Sequence, residues 1–406
     1  MRVLIANDSY LPQLNGAAVA SHRLVQGLAS RGHQVCVVAP STSFRDEEET
    51  DPGNPGVTVH RIKSFPVRPL HPEFRITCWA GTDVKLERIF RRFQPDIVHI
   101  QNQFVVCRGC LRQSREFGIP VVGTNHFMPE NVLPYFPRLL WPAMTAILWR
   151  HCLGVYNKLD CVLAPSKSCL NVLHNAGLKA PARVISNGID LQRFSGMSSA
   201  RSISRSGPDL IYEKYGIRSD VPTFLAVGRL DKDKKVDLII RATAAATASA
   251  DVQTVIVGRG KDEAEFRELA RKLGPEGAFV FTGFVPDDDL TRLYAISNVY
   301  IGAGAAELQG LAVMEAMASG MPILAANSVA LPELVDEGVN GFLFEPNVED
   351  LEAKMLVMVG LRDRWEEMGC RSKAAMHHHD MPNILAQVEQ LYEELVQVQG
   401  IRPLTS

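Results

Sequence analysis

Two successive series of short apolar segments, each followed by a helical stretch, constrain the fold of this chain more than any other feature. Most segments are near-continuous apolar runs, as expected for strands that are covered on both faces. Strands that alternate with helices are typical of a doubly wound parallel sheet, so the sequence predicts an α/β protein. The predicted strands begin at Val3, Gln34, Val57, Ile97, Val121 and Cys161 in the first half, and at Thr223, Gln253, Val280, Val299 and Pro322 in the second.

The length of the chain predicts two domains rather than one. A chain of 406 residues exceeds what one hydrophobic core usually serves, and two domains of about 200 residues each are expected. A segment rich in Ser, Gly and Arg separates the two series of strands and is typical of a linker or surface loop. We therefore predict a first domain over residues 1–193, a linker over 194–210, a second domain over 211–383 and a C-terminal helix over 384–406.

The composition argues against several classes of protein. Apolar residues make up 46% of the chain, charged residues make up 22%, and the formal net charge is −2. Without a basic excess, general binding to nucleic acid is not expected. No apolar run approaches the ~20 residues of a membrane-spanning helix, and the N-terminal run is too short for a signal peptide. The sequence therefore predicts a soluble protein of the cytoplasm.

Two groups of residues invite a metal or redox interpretation, and each has a simpler one. Cys107 and Cys110 have the C-x-x-C spacing of redox and zinc motifs, but no second pair lies at zinc spacing. Buried thiols on a helix are the preferred interpretation. The consecutive histidines from His377 to His379 would point in different directions from a helix, with no cysteine or carboxylate cluster at ligand spacing. We expect no metal site and no cofactor.

The segment from Glu307 to Pro322 carries the clearest functional signal. It places Glu307 in a loop rich in Gly and Ala, and Glu315 inside the helix that follows. Gly310 and Leu311 lie where this helix should begin, so its first turn offers unpaired N–H groups and the positive end of the helix dipole. Such an end suits a phosphate, and the flanking carboxylates can accept hydrogen bonds from sugar hydroxyls. A nucleotide sugar carries all of these groups.

The same segment resembles the Glu-x7-Glu signature of retaining glycosyltransferases of family 4, which have the two-domain GT-B fold. The likeness continues through residues 316–322, the predicted strand after them, residues 331–335 and the Gly-rich turn at Asn340. The resemblance implies two Rossmann-like domains that face each other across a cleft, with a C-terminal helix that crosses back to the first domain. It also implies that the acceptor binds to the first domain and the nucleotide sugar mostly to the second.

The resemblance assigns roles to charged residues of the second half. Arg229 and Lys234 match the residues that hold the diphosphate of the donor, with Asp233 in place of the usual Glu. Fixed cations at this place stabilise the negative charge that grows on the departing diphosphate without a metal ion. Glu307 would bind hydroxyls of the donor sugar, and Glu315 would bind the ribose.

Five further residues complete the predicted donor site of the second half. Leu308, Gly310 and Leu311 belong to the loop and the first helical turn that lie between the two glutamates. Phe284 and Val285 match the family's loop that holds the nucleobase through backbone groups.

Two residues of the first half are also implicated by the resemblance. Gly16 lies in a loop that matches the family's Pro-x-x-Asn-Gly loop, and a glycine there lets backbone N–H groups approach a diphosphate. His126 follows a predicted strand and matches the family's Thr-x-His, in which the imidazole contacts the donor sugar near the reacting carbon. We assign His126 this role and not that of a general base.

A departure from the family's pattern bears on the acceptor. Members often have Glu-Gly-Phe-Gly where this chain has Glu-Leu-Gln-Gly over residues 307–310. Together with residues 125–131, this variant resembles the branch of diacylglycerol glucosyltransferases. The expected reaction is a retaining, metal-independent transfer of glucose from UDP-glucose to a lipid such as diacylglycerol. A small soluble acceptor (an amino sugar, a cyclitol or a natural product) and GDP-mannose as donor remain as alternatives.

Two other classes of function share the same fold. A nucleotide-sugar 2-epimerase would be expected to show a different constellation of carboxylates and histidines. A catalytically silent chain that acts as a binding partner would have no need of the full set Arg229, Lys234, Glu307, Glu315 and His126.

Residues 134–151 form an apolar and aromatic segment with Arg138 and Arg150 toward its ends. Such a segment either enters the surface of an anionic membrane or forms a buried helix of the first domain. A membrane location would be peripheral, on the inner face. The first interpretation draws on basic residues earlier in the domain, which are Lys63, Arg68, Arg75, Lys85, Arg88, Arg91 and Arg92.

Overall fold

The computed structural model describes residues 1–13, 15–66, 75–78, 81–194 and 210–400. The chain divides into two compact units. Unit 1 contains Met1–Gly188 and Met381–Ser406, and unit 2 contains Ile189–Asp380. These boundaries lie a few residues before the domain ends expected from the sequence. The predicted linker over 194–210 lies outside the described residues except for its first and last positions, and so does Arg68.

Unit 1 is built on a sheet of eight strands. The unit's strands are β1 (Arg2–Ala6), β2 (Gln34–Pro40), β3 (Glu47–Asp51), β4 (Asn54–Ile62), β5 (Ser64–Pro66), β6 (Arg75–Thr77), β7 (Ile97–Ile100), β8 (Val121–Thr124), β9 (Cys161–Ala164) and β10 (Ala182–Val184). The sheet has the order β10-β9-β8-β7-β1-β2-β4-β3, and its neighbours are parallel except β3 with β4. The order changes direction between β1 and β7, which is where a doubly wound sheet receives a ligand.

The helices of unit 1 that precede unit 2 connect these parallel strands. They are α1 (Gly16–Ser30), α2 (Thr82–Phe93), α3 (Val105–Phe117), α4 (Trp141–Tyr156) and α5 (Lys167–Ala176). The start of α1 is set by Asn15, whose side-chain oxygen accepts the N–H of Ala18 at 3.0 Å. Such a cap satisfies one of the N–H groups that the first turn leaves unpaired.

Unit 2 is built on a sheet of six parallel strands. These are β11 (Thr223–Val227), β12 (Gln253–Val257), β13 (Phe279–Gly283), β14 (Val299–Gly302), β15 (Ile323–Ala326) and β16 (Gly341–Phe344), in the order β13-β12-β11-β14-β15-β16. The helices are α6 (Leu210–Tyr215), α7 (Val236–Ala246), α8 (Glu263–Leu273), α9 (Asp287–Ile296), α10 (Leu311–Ala318), α11 (Val348–Gly360) and α12 (Trp365–Ala375). The order changes direction between β11 and β14, so a ligand crevice is expected beside these two strands.

The C-terminal helix α13 (Met381–Gly400) belongs to unit 1. Its apolar side is part of the core of that unit, beneath α1 and the sheet. A Cβ atom added at Gly27 of α1 would lie 2.6 Å from Leu385, so the glycine allows the two helices to approach closely. Arg31 and Glu389 form an ion pair of 2.8 Å at the edge of the same contact. The residues of α13 in the core are Ile384, Leu385, Val388, Leu391 and Tyr392.

The prediction of an α/β protein with two doubly wound sheets is confirmed, and each predicted strand is present. The strands that the sequence analysis did not predict are short or polar. β3 is an acidic strand whose side chains are mostly exposed, and it forms because it pairs with β4 at the edge of the sheet. β16 was interpreted as part of a Gly-rich turn. It pairs with β15, and a Cβ atom at Gly341 would lie 2.0 Å from the carbonyl oxygen of Ile323.

A bilayer-spanning segment is absent from the described residues, in which every helix is too short or too polar for that purpose.

Candidate functional site

Two loops of unit 2 meet at the switch point of its sheet. β11 ends at Val227 and β14 ends at Gly302, and the two strands are neighbours although they are far apart in the sequence. The first loop leads into a 3-10 helix, Lys232–Lys234, and the second leads into α10. The N–H of Ala305 donates to the carbonyl oxygen of Asp233 at 3.3 Å, which joins the two loops. Side chains from both loops therefore share one edge of the sheet.

Lys234 and Glu307 form an ion pair across this junction. The Nζ atom of Lys234 donates to Oε1 of Glu307 at 2.5 Å, and the side chains are 27% and 23% exposed. Burial lowers the pKa of Lys234, but the carboxylates of Glu307 and Asp233 raise it by more, so the net shift is upward. Lys234 is therefore a cation at neutral pH. Both side chains keep enough exposed surface to contact a ligand.

The position of Glu307 depends on a glycine in the same loop. A Cβ atom added at Gly304 would lie 2.7 Å from Oε1 of Glu307 and 3.0 Å from its Cγ. A side chain there would therefore displace the carboxylate from Lys234. The sequence before Glu307 is rich in Gly and Ala, and at Gly304 a steric reason explains why the residue is a glycine.

Arg229 is held by two carboxylates that the sequence analysis did not recognise as buried. It pairs with Asp231 and with Asp233, the latter with 3.2 Å between Nη2 and Oδ2. Both aspartates are buried, and Asp231 also accepts the N–H of Lys261 at 2.8 Å. A buried carboxylate needs a cationic or hydrogen-bonding partner, and the guanidinium provides it. An Asp in the loop after a buried strand, two residues from an Arg, was the signal available in the sequence.

The charges of this junction nearly cancel. Arg229 and Lys234 supply two positive charges, and Asp231, Asp233 and Glu307 supply three negative ones. The junction is therefore not a general anion site, because it has no excess of positive charge. A ligand that offers hydroxyl groups as well as phosphate oxygens can satisfy the carboxylates and the cations together.

The first turn of α10 lies directly after Glu307. Gly310 has a φ of +79°, a conformation that favours glycine, and it precedes the helix without a side-chain cap. Glu315, in the second turn, is buried, and its Oε2 accepts the hydroxyl of Tyr294 at 3.0 Å. Burial and the charge of Glu315 raise the pKa of Tyr294, so the phenol remains a donor. The side chain of Leu308 is buried and that of Leu311 is half-buried.

Phe284 and Val285 follow β13, which β12 separates from β11. The ring of Phe284 is 61% exposed, whereas Val285 is 5% exposed and packs in the core of unit 2. Only the backbone of Val285 is therefore available to a ligand. These two residues therefore lie farther along the same edge of the sheet than the charged junction.

In unit 1, Gly16 and His126 follow the central strands β1 and β8. Gly16 is the first residue of α1, and a Cβ atom added there would meet no atom within 4 Å. His126 follows β8, and its Nε2 donates to Oε1 of Gln101 at 2.9 Å. Gln101 is the first residue after β7. Burial lowers the pKa of His126 to about 4. The imidazole is therefore neutral near pH 7 and presents Nδ1 as an acceptor. The sequence analysis missed Gln101.

A second neutral histidine lies behind His126. His99 contacts the hydroxyl of Tyr392 at 2.6 Å through Nδ1 and that of Thr124 at 2.7 Å through Nε2. Burial lowers its pKa to about 3. The contact joins the C-terminal helix α13 to the end of β8, two residues before His126. The C-terminal helix thus supports the strand that carries the predicted sugar contact.

Amide side chains connect the remaining loops of unit 1. Asn102 donates to Asn7 at 2.8 Å, and Asn7 donates to Ser21 on α1 at 2.7 Å. Asp8 lies in the same loop, but its carboxylate accepts the N–H of Val106 at 2.7 Å, at the start of α3. Hydrogen bonds between the neutral side chains of Asn102, Asn7 and Ser21 therefore hold this edge, and Asp8 fixes the start of α3.

One of the residues with a possible metal or redox interpretation contacts these loops, since Sγ of Cys107 donates to Oδ1 of Asn102 at 3.0 Å. Cys107 and Cys110 are both buried on α3, and burial raises the pKa of both thiols. The histidines from His377 to His379 are part of a 3-10 helix rather than an α-helix. Within the described ranges, no group of three or more His, Cys, Asp or Glu residues has an arrangement that could hold a metal ion.

Most of the basic residues of unit 1 named as possible membrane contacts are engaged with other protein groups. Lys85 pairs with Asp46, Arg91 pairs with Glu87 at 2.7 Å, and Arg92 pairs with Glu48 at 3.4 Å. Arg75 donates to the carbonyl oxygen of Ser41 at 2.8 Å, and Lys63 lies over the ring of Phe65. Three of these charges, on Lys85, Arg91 and Arg92, therefore have acidic neighbours on the protein. Their contact with anionic lipids stays a prediction.

Two family models match the chain, and together they cover most of it. The model described as Glycosyltransferase Family 4 matches residues 14–193. The model described as Glycosyl transferases group 1 matches residues 209–373. The second match contains the whole charged junction, and the first contains Gly16 and His126.

Relatives with stated activities are similar over nearly the full chain. An alpha-monoglucosyldiacylglycerol synthase of Streptococcus pneumoniae is 28% identical over 347 residues, which are 85% of this chain and 75% of the relative. A GDP-mannose-dependent alpha-mannosyltransferase of Mycobacterium tuberculosis is 29% identical over 363 residues, which are 88% of each chain. Among solved structures, Anabaena HepE in complex with UDP and glucose has a TM-score of 0.76 and 19% identity, covering 97% of this chain and 100% of that one.

Proposed function

The chain belongs to glycosyltransferase family 4, and on that premise we propose that it transfers glucose from UDP-glucose to diacylglycerol with retention of configuration and without a metal ion. It has the GT-B fold, and it resembles the branch of diacylglycerol glucosyltransferases. The donor sugar and the acceptor are supported by the similarity to the pneumococcal synthase, whose name states both groups. Because diacylglycerol resides in bilayers, the proposed place of action is the inner face of a membrane.

The observation that carries this proposal is the ion pair of Lys234 and Glu307 beside Arg229. A nucleotide sugar presents phosphate oxygens next to sugar hydroxyls. The phosphate oxygens can accept from Lys234 and Arg229, and the hydroxyls can donate to Glu307. Donor binding would thus exchange the bond of 2.5 Å between Lys234 and Glu307 for two bonds to one ligand. A diphosphate without a sugar would form an ion pair with Lys234. Glu307 would then lose its ion pair with Lys234 and gain no sugar hydroxyl in return.

The same cations serve the proposed chemical step. The bond between the anomeric carbon and the diphosphate oxygen breaks, and its electron pair remains on that oxygen. Arg229 and Lys234 stabilise the resulting charge, which is a stabilisation that grows toward the transition state. The acceptor hydroxyl attacks from the face that the diphosphate leaves, and its proton passes to the departing phosphate oxygen. Retention of configuration follows from attack on the same face.

The other predicted residues complete the proposed donor site. We propose that Glu315, whose Oε2 accepts the hydroxyl of Tyr294, binds the ribose. The backbone at Phe284 and Val285 is proposed to hold the base, and that at Leu308, Gly310 and Leu311 to hold phosphate or sugar oxygens. In unit 1, we propose that the N–H of Gly16 binds phosphate and that Nδ1 of His126 accepts a hydroxyl of the donor sugar.

GDP-mannose is the second candidate donor. It is favoured by the similarity to the mycobacterial mannosyltransferase, which covers as much of this chain as the similarity to the synthase does. The charged junction would treat both donors alike, because both contain a diphosphate and a hexose. The difference would lie at the base and at the hydroxyl that changes orientation between glucose and mannose.

The test is a panel of donors with and without acceptor. Purified protein is incubated with UDP-glucose, UDP-galactose, GDP-mannose or ADP-glucose, with diacylglycerol in detergent micelles or with micelles alone. We expect a glucosylated lipid from UDP-glucose only when diacylglycerol is present, and an α-linkage by NMR. Product from GDP-mannose alone would select the second candidate. Hydrolysis of a donor without any lipid product would reject diacylglycerol and direct the search to soluble acceptors.

A further inference from the structure

Helix α9 connects the two proposed contacts to the nucleoside of the donor. It begins at Asp287, two positions after Val285 of the loop that is proposed to hold the base. Farther along the same helix, the hydroxyl of Tyr294 donates to Oε2 of Glu315, which is proposed to bind the ribose. The position of this one helix therefore affects the base loop and Glu315 together.

The first turn of α9 is acidic and has no side-chain cap. Pro286 precedes the helix and offers neither a side-chain acceptor nor an N–H group. Asp287, Asp288 and Asp289 follow in the first turn. Carboxylates at this end of a helix interact favourably with its dipole, but three of them in succession repel each other. Cationic partners from other elements would relieve this repulsion and hold the end of the helix in one place.

Arg193 supplies the first cation. It lies on a short 3-10 helix near the start of unit 2, and its Nη2 is 3.5 Å from Oδ1 of Asp287. The next residue, Phe194, is buried, and its ring packs edge-to-face against that of Tyr294 with 6.1 Å between the centroids. Arg193 and Phe194 together thus contact α9 both at its first turn and at Tyr294.

Helix α6 supplies the second cation and a phenol. Nζ of Lys214 donates to Oδ2 of Asp289 at 2.5 Å, and the hydroxyl of Tyr215 donates to the same oxygen at 2.6 Å. The hydrogen bond from Lys214, followed by that from Tyr215, lowers the pKa of Asp289, so the carboxylate stays charged. Two elements that are far from α9 in the sequence therefore hold its first turn.

We propose that Arg193, Lys214 and Tyr215 are positioning residues for the nucleoside of the donor. They act through α9, whose first turn they fix, and α9 in turn fixes the base loop and Glu315. The inference rests on the proposed function only in that the ligand of unit 2 is a nucleotide sugar. The charged junction is built from other loops, so loss of these contacts should weaken nucleoside binding without changing the chemical step.

The alternative role for these contacts is stability alone. Exposed ion pairs usually contribute little to the free energy of unfolding, so the melting temperature should change by less than about 2 °C when they are removed. Affinity for the nucleoside separates the two roles, because a contact that only stabilises the fold leaves the affinity of the folded protein unchanged.

The first test uses a matched pair of double variants of the full chain. Calorimetric titration with UMP and with UDP, without acceptor, measures Kd (GMP and GDP replace them if the wild type prefers guanine). In R193Q/D289A both constants should rise by about tenfold, because two contacts of about threefold each are lost. UMP and UDP should be affected by the same factor, since they share the nucleoside.

The control R218Q/D251A also removes one positive and one negative charge from unit 2. Arg218 and Asp251 form an ion pair of 2.8 Å, and they precede β11 and β12 at the opposite end of these strands. Their loss should change both constants by less than about twofold.

The second test separates binding from chemistry. With the preferred donor, R193Q/D289A should raise KM by about tenfold and leave kcat within about twofold, because the nucleoside is bound equally in the ground state and the transition state. Y215F removes one hydroxyl and no charge, so it keeps the fold even if the double variant does not. It should raise Kd for UMP and UDP by about threefold.

Three results would overturn the proposal. One is an unchanged Kd for both ligands in R193Q/D289A or in Y215F, and another is an equal rise in the control R218Q/D251A. The third is a rise for UDP alone, since the residues would then act on the diphosphate. None of the titrations contains an acceptor. Failure of transfer to diacylglycerol would therefore reject the proposed acceptor only, and transfer with unchanged constants would reject the positioning role only.

Discussion

In unit 2, the loops after β11 and β14 bring two cations and three carboxylates to the edge of the sheet. In unit 1, the equivalent edge carries amides on the loops after β1 and β7 and a histidine after β8 that burial keeps neutral. A second neutral histidine, His99, lies within β7. Both edges are switch points of doubly wound sheets, where ligands bind. Each of the two sheets therefore provides one position for a binding site, and the side chains at that position determine the chemistry of the site.

This difference assigns different tasks to the two edges. The cations at the unit 2 edge can stabilise the negative charge that develops on a leaving diphosphate. The neutral side chains at the unit 1 edge can direct sugar hydroxyls, and the two histidines among them resist protonation. Each of the following experiments tests one side of this contrast, beginning with the largest expected effect.

Lys234→Ala should lower kcat/KM for the donor by about 100- to 1000-fold, because a cation that stabilises the developing charge is lost. Steady-state kinetics with the preferred donor measures the effect. Lys232→Ala is the control. Lys232 lies on the same 3-10 helix but pairs with the exposed Glu265, so its loss should change kcat/KM by less than about twofold. Comparable losses in both variants would mean that only the overall charge of the loop matters.

His126→Ala should lower kcat/KM by about 100-fold and leave the affinity for the nucleoside diphosphate within about twofold. The proposed hydrogen bond is made to the sugar, so its loss affects transfer and not diphosphate binding. Gln101→Glu provides a sharper variant. A carboxylate beside Nε2 favours the imidazolium and should move the acid limb of the pH–rate profile upward. Parallel loss of diphosphate affinity in His126→Ala would contradict the division of tasks.

Unit 1 should lose stability on mild acidification because His99 is buried in its neutral form. Its pKa is lowered by burial from the ordinary 6.5 to about 3. The unfolded chain therefore binds more protons below pH 6.5, and stability falls as the pH decreases from 6.5 toward 3. At about pH 5 this one residue costs about 2 kcal/mol relative to pH 8.

The measurement is urea denaturation of the wild type and of His99→Gln at the two pH values. The variant cannot titrate in this range, so its loss of stability between the two values should be smaller by about 2 kcal/mol. The comparison is of pH dependence, so a general destabilisation by the substitution does not affect it. Equal pH dependence in both proteins would refute the assignment of a buried neutral His99.

Two tyrosine substitutions have the smallest expected effects and distinguish the two edges. Tyr392→Phe leaves Nδ1 of the buried His99 without a partner, which should lower the free energy of unfolding by about 1–3 kcal/mol and leave KM for the donor unchanged. Tyr294→Phe frees Oε2 of Glu315 and should raise KM for the donor by a few fold through a less fixed ribose contact. A change of KM for the donor in Tyr392→Phe, with none in Tyr294→Phe, would contradict the assignment of Tyr392 to stability and of Tyr294 to donor binding.

The sequence predicted those parts of the structure that local pattern determines. The apolar runs at Val3, Ile97 and Val299 became central strands because a strand covered on both faces must be apolar throughout. The polar strand β3 could not be predicted in this way, since it exists only through its pairing with β4. Gly310 was placed correctly at the start of α10, where its positive φ explains the residue type.

The candidate site was less accessible, because its partners are distant in sequence. A resemblance suggested Lys234 and Glu307 separately, and only the crossover between β11 and β14 makes them an ion pair. Burial of Asp231 and the contact of Gln101 with His126 also depend on tertiary packing. For the same reason the sequence could not show that Lys85 meets Asp46 across 39 positions of the chain.

The central claim is that donor binding replaces the ion pair of Lys234 and Glu307. Lys234 then binds the diphosphate of the donor, and Glu307 binds the sugar of the same molecule. Calorimetric titration of wild type and Glu307→Gln with UDP-glucose and with UDP tests it most directly (GDP-mannose and GDP if the panel selects that donor). Removing the carboxylate releases Lys234, so the variant should bind the diphosphate at least as tightly as wild type. It should bind the sugar nucleotide about tenfold more weakly, because the acceptor for the sugar hydroxyls is weakened. Equal weakening of both ligands, or no change in either, would contradict the exchange.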